Sequence, residues 1–370
     1  MARVTLSDVC DKDTSKYAQK DLNELSGEYP VYGASGFIKK IDKFQQNTEY
    51  VAVVKDGAGI GRTMFLPAKS SVIGTLQYLL PKKNVVPKYL YYAVNSMHLE
   101  KYYTGATIPH IYFKDYQKEE FNLPELVIQE QIVKLLEKVE KIIELRKKQL
   151  FALDQIIKSR FVEMFGDPVS NPMGWEKVLI DDCLKSIDNG KSFVCENNSR
   201  SEEAPAVLKL SAATYGVYKP EENKAIIDED NFVESAEVHD GDLLFTRKNT
   251  PELVGMAAYI FSTPKKLMRP DLIFRLNSKD NCNKIFLWQL INHDLFRGQI
   301  QSIASGSAKS MSNISKERLG KLIIALPPIE LQNQFATFVR KVDKLKFTTQ
   351  TELNKMQTLY DSLLQKYFQE

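Results

Sequence analysis

The stretch LPELVIQEQIVKLLEKVEKIIELRKKQLFALDQIIKSRFVEMF, Leu123–Phe165, has a counterpart in LPPIELQNQFATFVRKVDKLKFTTQTELNKMQTLYDSLLQKYF, Leu326–Phe368. The two align without a gap at an offset of 203, and ten of 43 positions are identical, among them Leu123/Leu326, Pro124/Pro327, Gln129/Gln332, Leu150/Leu353 and Phe165/Phe368. Apolar residues recur every seven positions. In the first copy one seam runs Leu136, Ile143, Leu150, Ile157, Met164, and a second holds Ile132, Val139 and Leu153. In the later copy the seams are Val339, Leu353, Tyr360, Tyr367 and Phe335, Val342, Met356, Leu363, interrupted by Lys346 and Thr349. Sevenfold spacing lets a helix bury one stripe against another long helix. With no internal Gly or Pro, each copy can form a single helix of roughly 60 Å at 1.5 Å per residue. Leu-Pro marks each start, since proline is tolerated in the first helical turn. Gly166-Asp167-Pro168 stops the first copy. Two unrelated amphipathic helices, each packed on its own domain, are the other reading of this spacing.

The segments upstream echo one another more faintly. Gly105 and Gly306 lie about 20 residues before their Leu-Pro, and Leu6-Ser7-Asp8-Val9-Cys10 resembles Leu179-Ile180-Asp181-Asp182-Cys183. The layout is therefore a globular unit over residues 1–122, a helix over 123–165, a second unit over 166–325 and a second helix over 326–370. TEYVAVVKDGAGIGRTMFLPA, from Thr48, reads as two short strands about a Gly-rich turn, and HDGDLLFTRKNTPELVGMAAYIF, from His239, reads likewise with a longer loop. LYYAVNSMHLEKYY, from Leu90, and IFLWQLINHDLFRGQIQSI, from Ile285, read as helices. Each unit is expected to be α+β with its own core.

The 370 residues are 43% hydrophobic and 26% charged, which suits a folded chain of two or three domains. Lys+Arg 50 against Asp+Glu 47 leaves a net charge of +3, neither a signature of a nucleic-acid binder nor an objection to one. Cys10, Cys183, Cys195 and Cys282 form no CxxC pair, so a reducing cytoplasm is expected, without disulfide or zinc cluster. No apolar run approaches the ~18 residues of a membrane span.

Catalytic patterns fail one by one. Gly57-Ala58-Gly59-Ile60-Gly61 leads into a strand-like stretch ending at Pro67, not into a helix that could meet a pyrophosphate. His98, His110, His239 and His293 lack metal-ligand spacing. Asn171-Pro172-Met173-Gly174 departs from the Asn-Pro-Pro-Tyr loop of methyltransferases at its third residue, and Pro270-Asp271 has no Asp/Glu-x-Lys after it to hold Mg²⁺. The expectation is no catalytic residue and no metal in this chain. What remains is a recognition surface of polar and aromatic loops. Arg and Asn are the usual readers of base edges, while Ser, Thr, Tyr and Lys more often hold phosphates. The candidates are Tyr32, Ser35, Arg62, Thr107, His110 and Tyr112 in the first unit, and Lys209, Ser211, Tyr215, Arg247, Asn249, Ser307 and Lys309 in the second. For each, a structural or merely solvated role is the competing reading. Residues 1–122 carry 16 basic and 13 acidic side chains and residues 166–325 carry 20 and 22, so DNA binding by the second unit requires its cations gathered on one face, or a partner that supplies them.

The order and duplication of these parts resemble the specificity subunit of type I restriction–modification systems. The resemblance is carried by YPVYGASGFI from Tyr29, VVKDGAGIGR from Val53, FNLPELVIQEQIVKLLEKVEKIIELRKKQLFALDQIIKSRFVEMFGDP from Phe121, HDGDLLFTRKNTPELVG from His239 and SGSAKSMSNISKERLGKLIIALPPIELQNQF from Ser305. It implies two target recognition domains, each reading half of a bipartite site on double-stranded DNA. It implies that the two long helices lie antiparallel as a coiled coil, in a pseudo-twofold internal repeat, set the gap between half-sites and dock two methyltransferase (M) subunits. S-adenosylmethionine would belong to those partners, ATP and Mg to a restriction (R) subunit, and no cofactor to this chain. Lys346 and Thr349 at apolar seam positions, and Pro327-Pro328 where the first copy has Pro124-Glu125, depart from an even repeat. An interaction scaffold without DNA specificity, or an enzyme with an unrecognised site, are the alternatives on the residues alone.

Overall fold

A computed structural model describes residues 2–105, 108–305 and 311–370. The chain divides into two units. The first comprises Met1–Lys148 and Thr349–Glu370, the second Gln149–Thr348. The long repeats are helices over Leu126–Phe165 and Ile329–Leu364, the latter closing in a π-helical turn over Gln365–Gln369. Each unit thus contains one globular part and a portion of both helices.

In the first unit a four-stranded antiparallel sheet runs in the order Cys10–Thr14, Leu76–Pro81, Tyr50–Val54, Thr63–Leu66. A three-stranded sheet of Gly36–Ile41, Tyr29–Gly33 and Ser71–Val72 packs beside it. The second unit repeats the plan: Leu184–Asn189, Ile273–Ser278, Leu243–Thr246, Ala257–Tyr259 form its four-stranded sheet, and Asn223–Ala225, Ala206–Leu208, Leu267–Met268 its smaller one. Both segments read as paired strands are hairpins, Tyr50–Val54 with Thr63–Leu66 and Leu243–Thr246 with Ala257–Tyr259. The two sequences read as single helices are each broken. The first is helical over Pro87–Ser96 and then kinks at His98, whose φ of 51° leaves the right-handed region. The second is helical over Lys284–Asn292 and again over Arg297–Ser302, its first segment capped by the Asn283 side chain.

The Leu-Pro pairs end strands rather than open helices. Leu123 pairs with Ala2, and Leu326 with Glu176. Proline disfavours helical backbone in the residue before it, which keeps both leucines extended. The paired glutamines that follow explain why this part of the repeat is so alike. Gln129 accepts from Val86 N at 2.8 Å and donates to Asn84 O and Pro124 O at 3.1 and 2.8 Å. Gln332 accepts from Asn283 N at 2.8 Å and donates to Asn281 O and Pro327 O at 3.2 and 2.7 Å. Both amides are fully buried and tie the first turn of a long helix to the loop that leads into the shorter helix. Gln332→Leu leaves three backbone groups without partners and is expected to destabilise the second unit by about 1–3 kcal/mol, read as a lowered transition in calorimetry.

Within each unit the two long helices run antiparallel: residue numbers rise along one as their partners' numbers fall. In the first unit Glu140 accepts from Tyr92 Oη at 2.6 Å and Tyr360 Oη at 2.9 Å, and Arg146 pairs with Glu352 at 2.8 Å. Burial first, with the Glu140 carboxylate, raises the pKa of both phenols and keeps them as donors. In the second unit Lys346 pairs with Asp154 at 2.6 Å, and Phe161 and Phe165 pack on Phe335. The predicted seam residues Ile132, Leu136, Val139, Ile143, Leu153, Ile157, Phe335, Val339, Val342 and Tyr360 are buried. Lys346 occupies its seam position because Asp154 meets its ammonium, and Thr349 is buried despite its hydroxyl.

Candidate nucleic-acid interface

Three loops of the first unit gather into one cluster. The hairpin Tyr29–Gly33/Gly36–Ile41 turns at Ala34-Ser35, with Gly36 at φ 107°. Between Tyr50–Val54 and Thr63–Leu66 the chain turns through Gly57, Gly59 and Gly61, all at positive φ, a left-handed path that glycine follows without strain. A Cβ on Gly61 would come within 2.6 Å of Glu100 N, so glycine is also required by the close approach of that backbone. The third loop is a small hairpin in which Thr104 and His110 exchange both backbone bonds at 2.9 Å. Arg62 Nη1 donates to Ala34 O at 3.1 Å, joining the first loop to the second. Gly57 N donates to Pro109 O at 2.9 Å, joining the second to the third.

This arrangement brings together Tyr32, Ser35, Arg62, His110 and Tyr112. Ser35, Arg62 and Tyr112 are exposed, and Tyr32 and His110 are half-buried. Tyr32 sets its ring edge-to-face with the exposed Phe37. His110 stacks on Tyr112 at 6.3 Å, and Lys114 Nζ lies 5.5 Å from the Tyr112 ring. Aromatic faces flanked by cations suit contact with nucleic acid. Thr107 lies outside the described residues, as do Gly306, Ser307 and Lys309.

The second unit builds the same place with other residues. Ser305 and Asn313 exchange both backbone bonds at 2.8 Å, as Thr104 and His110 do. Ile314 N donates to Arg247 O at 2.8 Å, as Ile111 N donates to Lys55 O at 2.9 Å. Arg247 lies over Phe274 with its guanidinium carbon 5.0 Å from the ring centre, and its Nε donates to Asn313 Oδ1 at 3.3 Å. Lys209 and Ser211 both reach Glu222, at 3.8 and 2.7 Å, so an acidic partner already holds them. Tyr215 is exposed, with Lys219 over its ring at 5.7 Å. Asn249 is 7% exposed; its Nδ2 donates to Thr214 Oγ1 and its Oδ1 accepts from Thr250 N, so in this fold its amide tethers a neighbouring loop.

Several cations of the second unit are committed internally. Arg269 is fully buried, donating to Asp188 O and Ser235 O. Burial first, then Arg275, lowers its pKa to about 10. Arg275 pairs with Asp242 at 3.0 Å and Asp188 at 3.6 Å, and Arg297 donates to Val254 O and Gly255 O. These side chains hold loops in place and leave the exposed tyrosine and the Arg247 region as the polar-aromatic surface.

Two residues of the clusters escape a reading by residue type. Asp56 Oδ1 lies 2.7 Å from His110 Nδ1, and nothing in its surroundings in sequence marks it. Asn313 stands at the position of His110 under the 203-residue offset, so carrying the repeat further upstream finds it. Among the described residues no group of three or more His, Cys, Asp or Glu could hold a metal, and no helix is long and apolar enough to cross a membrane.

Comparison with known proteins follows the same two-fold division. The family pattern of the type I restriction modification DNA specificity domain matches residues 1–155 and again 172–357. The EcoEI specificity subunit of Escherichia coli is 31% identical over 235 residues, which is 60% of this chain but 40% of that protein. The MjaVIII specificity subunit of Methanocaldococcus jannaschii is 24% identical over 357 residues, 87% of this chain and 81% of the relative. In structure, the S subunit of a type I restriction–modification system from M. genitalium aligns over 100% of this chain and 96% of its own, with a TM-score of 0.64 at 14% identity. A chain solved in work on assembly and conformational transition of the type I system aligns over 99% of this chain and 97% of its own, with a TM-score of 0.53 at 15% identity. At these identities the structures speak to the fold, while the sequence pattern covers both repeats. This chain therefore belongs to the family of type I restriction–modification DNA specificity proteins.

Proposed function

We propose that this chain is the DNA-reading, non-catalytic subunit of a type I restriction–modification complex. The loop cluster of each unit reads one half of a bipartite site on double-stranded DNA. The paired long helices set the unread gap and dock two M subunits, which carry S-adenosylmethionine and transfer the methyl group. An R subunit with ATP and Mg completes the nuclease. The domains of action are residues 1–122 and 166–325, with 123–165 and 326–370 as spacer.

The observation that carries this reading is the duplicated hairpin, closed by Thr104 and His110 in one unit and Ser305 and Asn313 in the other, beside exposed aromatic and cationic side chains. Two weak readers on one chain act as a selective one, because the second contact becomes intramolecular. Each matched base pair contributes about 1–3 kcal/mol of discrimination. The test is exchange of residues 1–122 for those of a relative, in complex with the methyltransferase, followed by single-molecule sequencing of methylated sites. One half of the site is expected to change and the other to persist; a change in both halves or in neither refutes the proposal.

A further inference from the structure

We infer that Asp56 is a positioning residue for base reading: it holds His110 at the foot of the DNA-facing hairpin, and Arg247 does the same for Asn313 in the second unit. The inference rests on the DNA-reading function proposed above and assigns to it a residue that does not itself face the bases.

The foot of the first hairpin is tied by backbone bonds. Thr104 and His110 exchange their bonds, Ile111 N donates to Lys55 O, and Gly57 N donates to Pro109 O. Gly105 lies at φ 102°, and a Cβ there would come within 2.5 Å of Ile108 O, so the position requires glycine. None of these bonds sets the imidazole. Asp56 does so through its 2.7 Å contact with Nδ1, while Tyr112 covers a ring face. A carboxylate only accepts, so Nδ1 carries the proton and donates. Nε2 is then an acceptor with no partner among the described residues, and it remains to accept from an N–H at a base edge.

The repeat supplies the second line of argument. His110 and Asn313 are 203 residues apart and close their hairpins with the same backbone pairing. Each is held by one side chain from the strand end alongside, but the chemistry is reversed: Asp56 accepts from His110, whereas Arg247 donates to Asn313. Unlike pairs at one duplicated place share a function and not a sequence. What is common is an oriented polar side chain at the hairpin foot; what differs is the group presented, an imidazole Nε2 in one unit and an amide Nδ2 in the other. That difference is what two readers of unlike half-sites require.

The experiment uses the full chain with its methyltransferase and counts methylated sites by single-molecule sequencing. Asp56→Ala is expected to lower discrimination at a position in the half-site assigned to residues 1–122 by about tenfold, leaving the other half intact. Asp56→Asn still accepts from Nδ1 and is expected to restore most of that discrimination. Asn313→Ala is expected to relax the other half-site alone, and carries the same test should Asp56→Ala fold poorly. An unchanged motif in Asp56→Ala and Asn313→Ala, or a uniform loss of methylation with both half-sites still as sharply read, overturns the inference. The exchange of residues 1–122 run beside it separates the two failures: if that exchange alters one half-site and the point variants do not, the function stands and the positioning role falls.

Discussion

Phe161→Ala is expected to destabilise the second unit by about 3–5 kcal/mol, the range for truncating a buried aromatic ring. Phe161 is 1% exposed and meets four rings: Phe165 at 5.0 Å, His293 at 5.2 Å, Phe335 at 5.6 Å and Phe286 at 5.8 Å. These come from both long helices, from the helix Lys284–Asn292 and from the break that follows it. The substitution therefore opens a cavity where three helices meet, and no neighbour can close it without giving up other contacts. Phe151→Ala is the control. Its ring is 66% exposed on the same helix, and its loss is expected to change stability by about 0.5 kcal/mol or less. Thermal and denaturant unfolding of the two variants checks both values; comparable destabilisation would mean that the aromatic cluster does not bind the helix pair to its globular part.

Inserting four residues after Lys148 and four after Thr348 is expected to widen the unread gap of the methylated site by about two base pairs while both half-sites stay the same. Four helical residues add roughly 6 Å at 1.5 Å each, and base pairs along a strand are spaced at about 3.4 Å. The paired insertion keeps the antiparallel partners opposite one another: Arg146 with Glu352 in the first unit, and Asp154 with Lys346 in the second. Four residues exceed one turn slightly, so each seam rotates by a fraction of a turn and its apolar stripe continues. Methylome sequencing reads the gap directly. An unchanged gap would show that the helices are not the ruler, whatever the units recognise.

The long helices were legible in the sequence because a sevenfold apolar pattern states its own geometry. Ile132, Leu136, Val139 and Ile143 are buried as their spacing demands. The hairpin through Gly57–Gly61 was legible for a similar reason: positive φ needs glycine, and strand-like residues follow it. Helix ends were less so. Pro124 and Pro327 suggested a first helical turn, yet the residues before them are drawn into two-stranded sheets with Ala2 and Glu176, partners more than 100 residues away. A pairing at that separation has no local signature.

The candidate interface divides along the same line. Residue type singled out Arg62, Tyr112 and Tyr215, which are exposed, and His110, which is half-buried. It also singled out Asn249, which the fold buries against Thr214, and passed over Asp56 and Asn313. A side chain's chemistry is written in its identity, but its direction depends on which distant segment packs beside it.

From sequence alone came the duplication, the two long helices, the α+β units and the family, because each rests on periodicity or on ordered motifs within one stretch of chain. The tertiary structure decided where each helix begins, how the glutamines join helix to loop, and which polar side chains remain available. Those outcomes depend on burial and on hydrogen bonds between residues far apart in the chain, and no local pattern encodes which partner will be there.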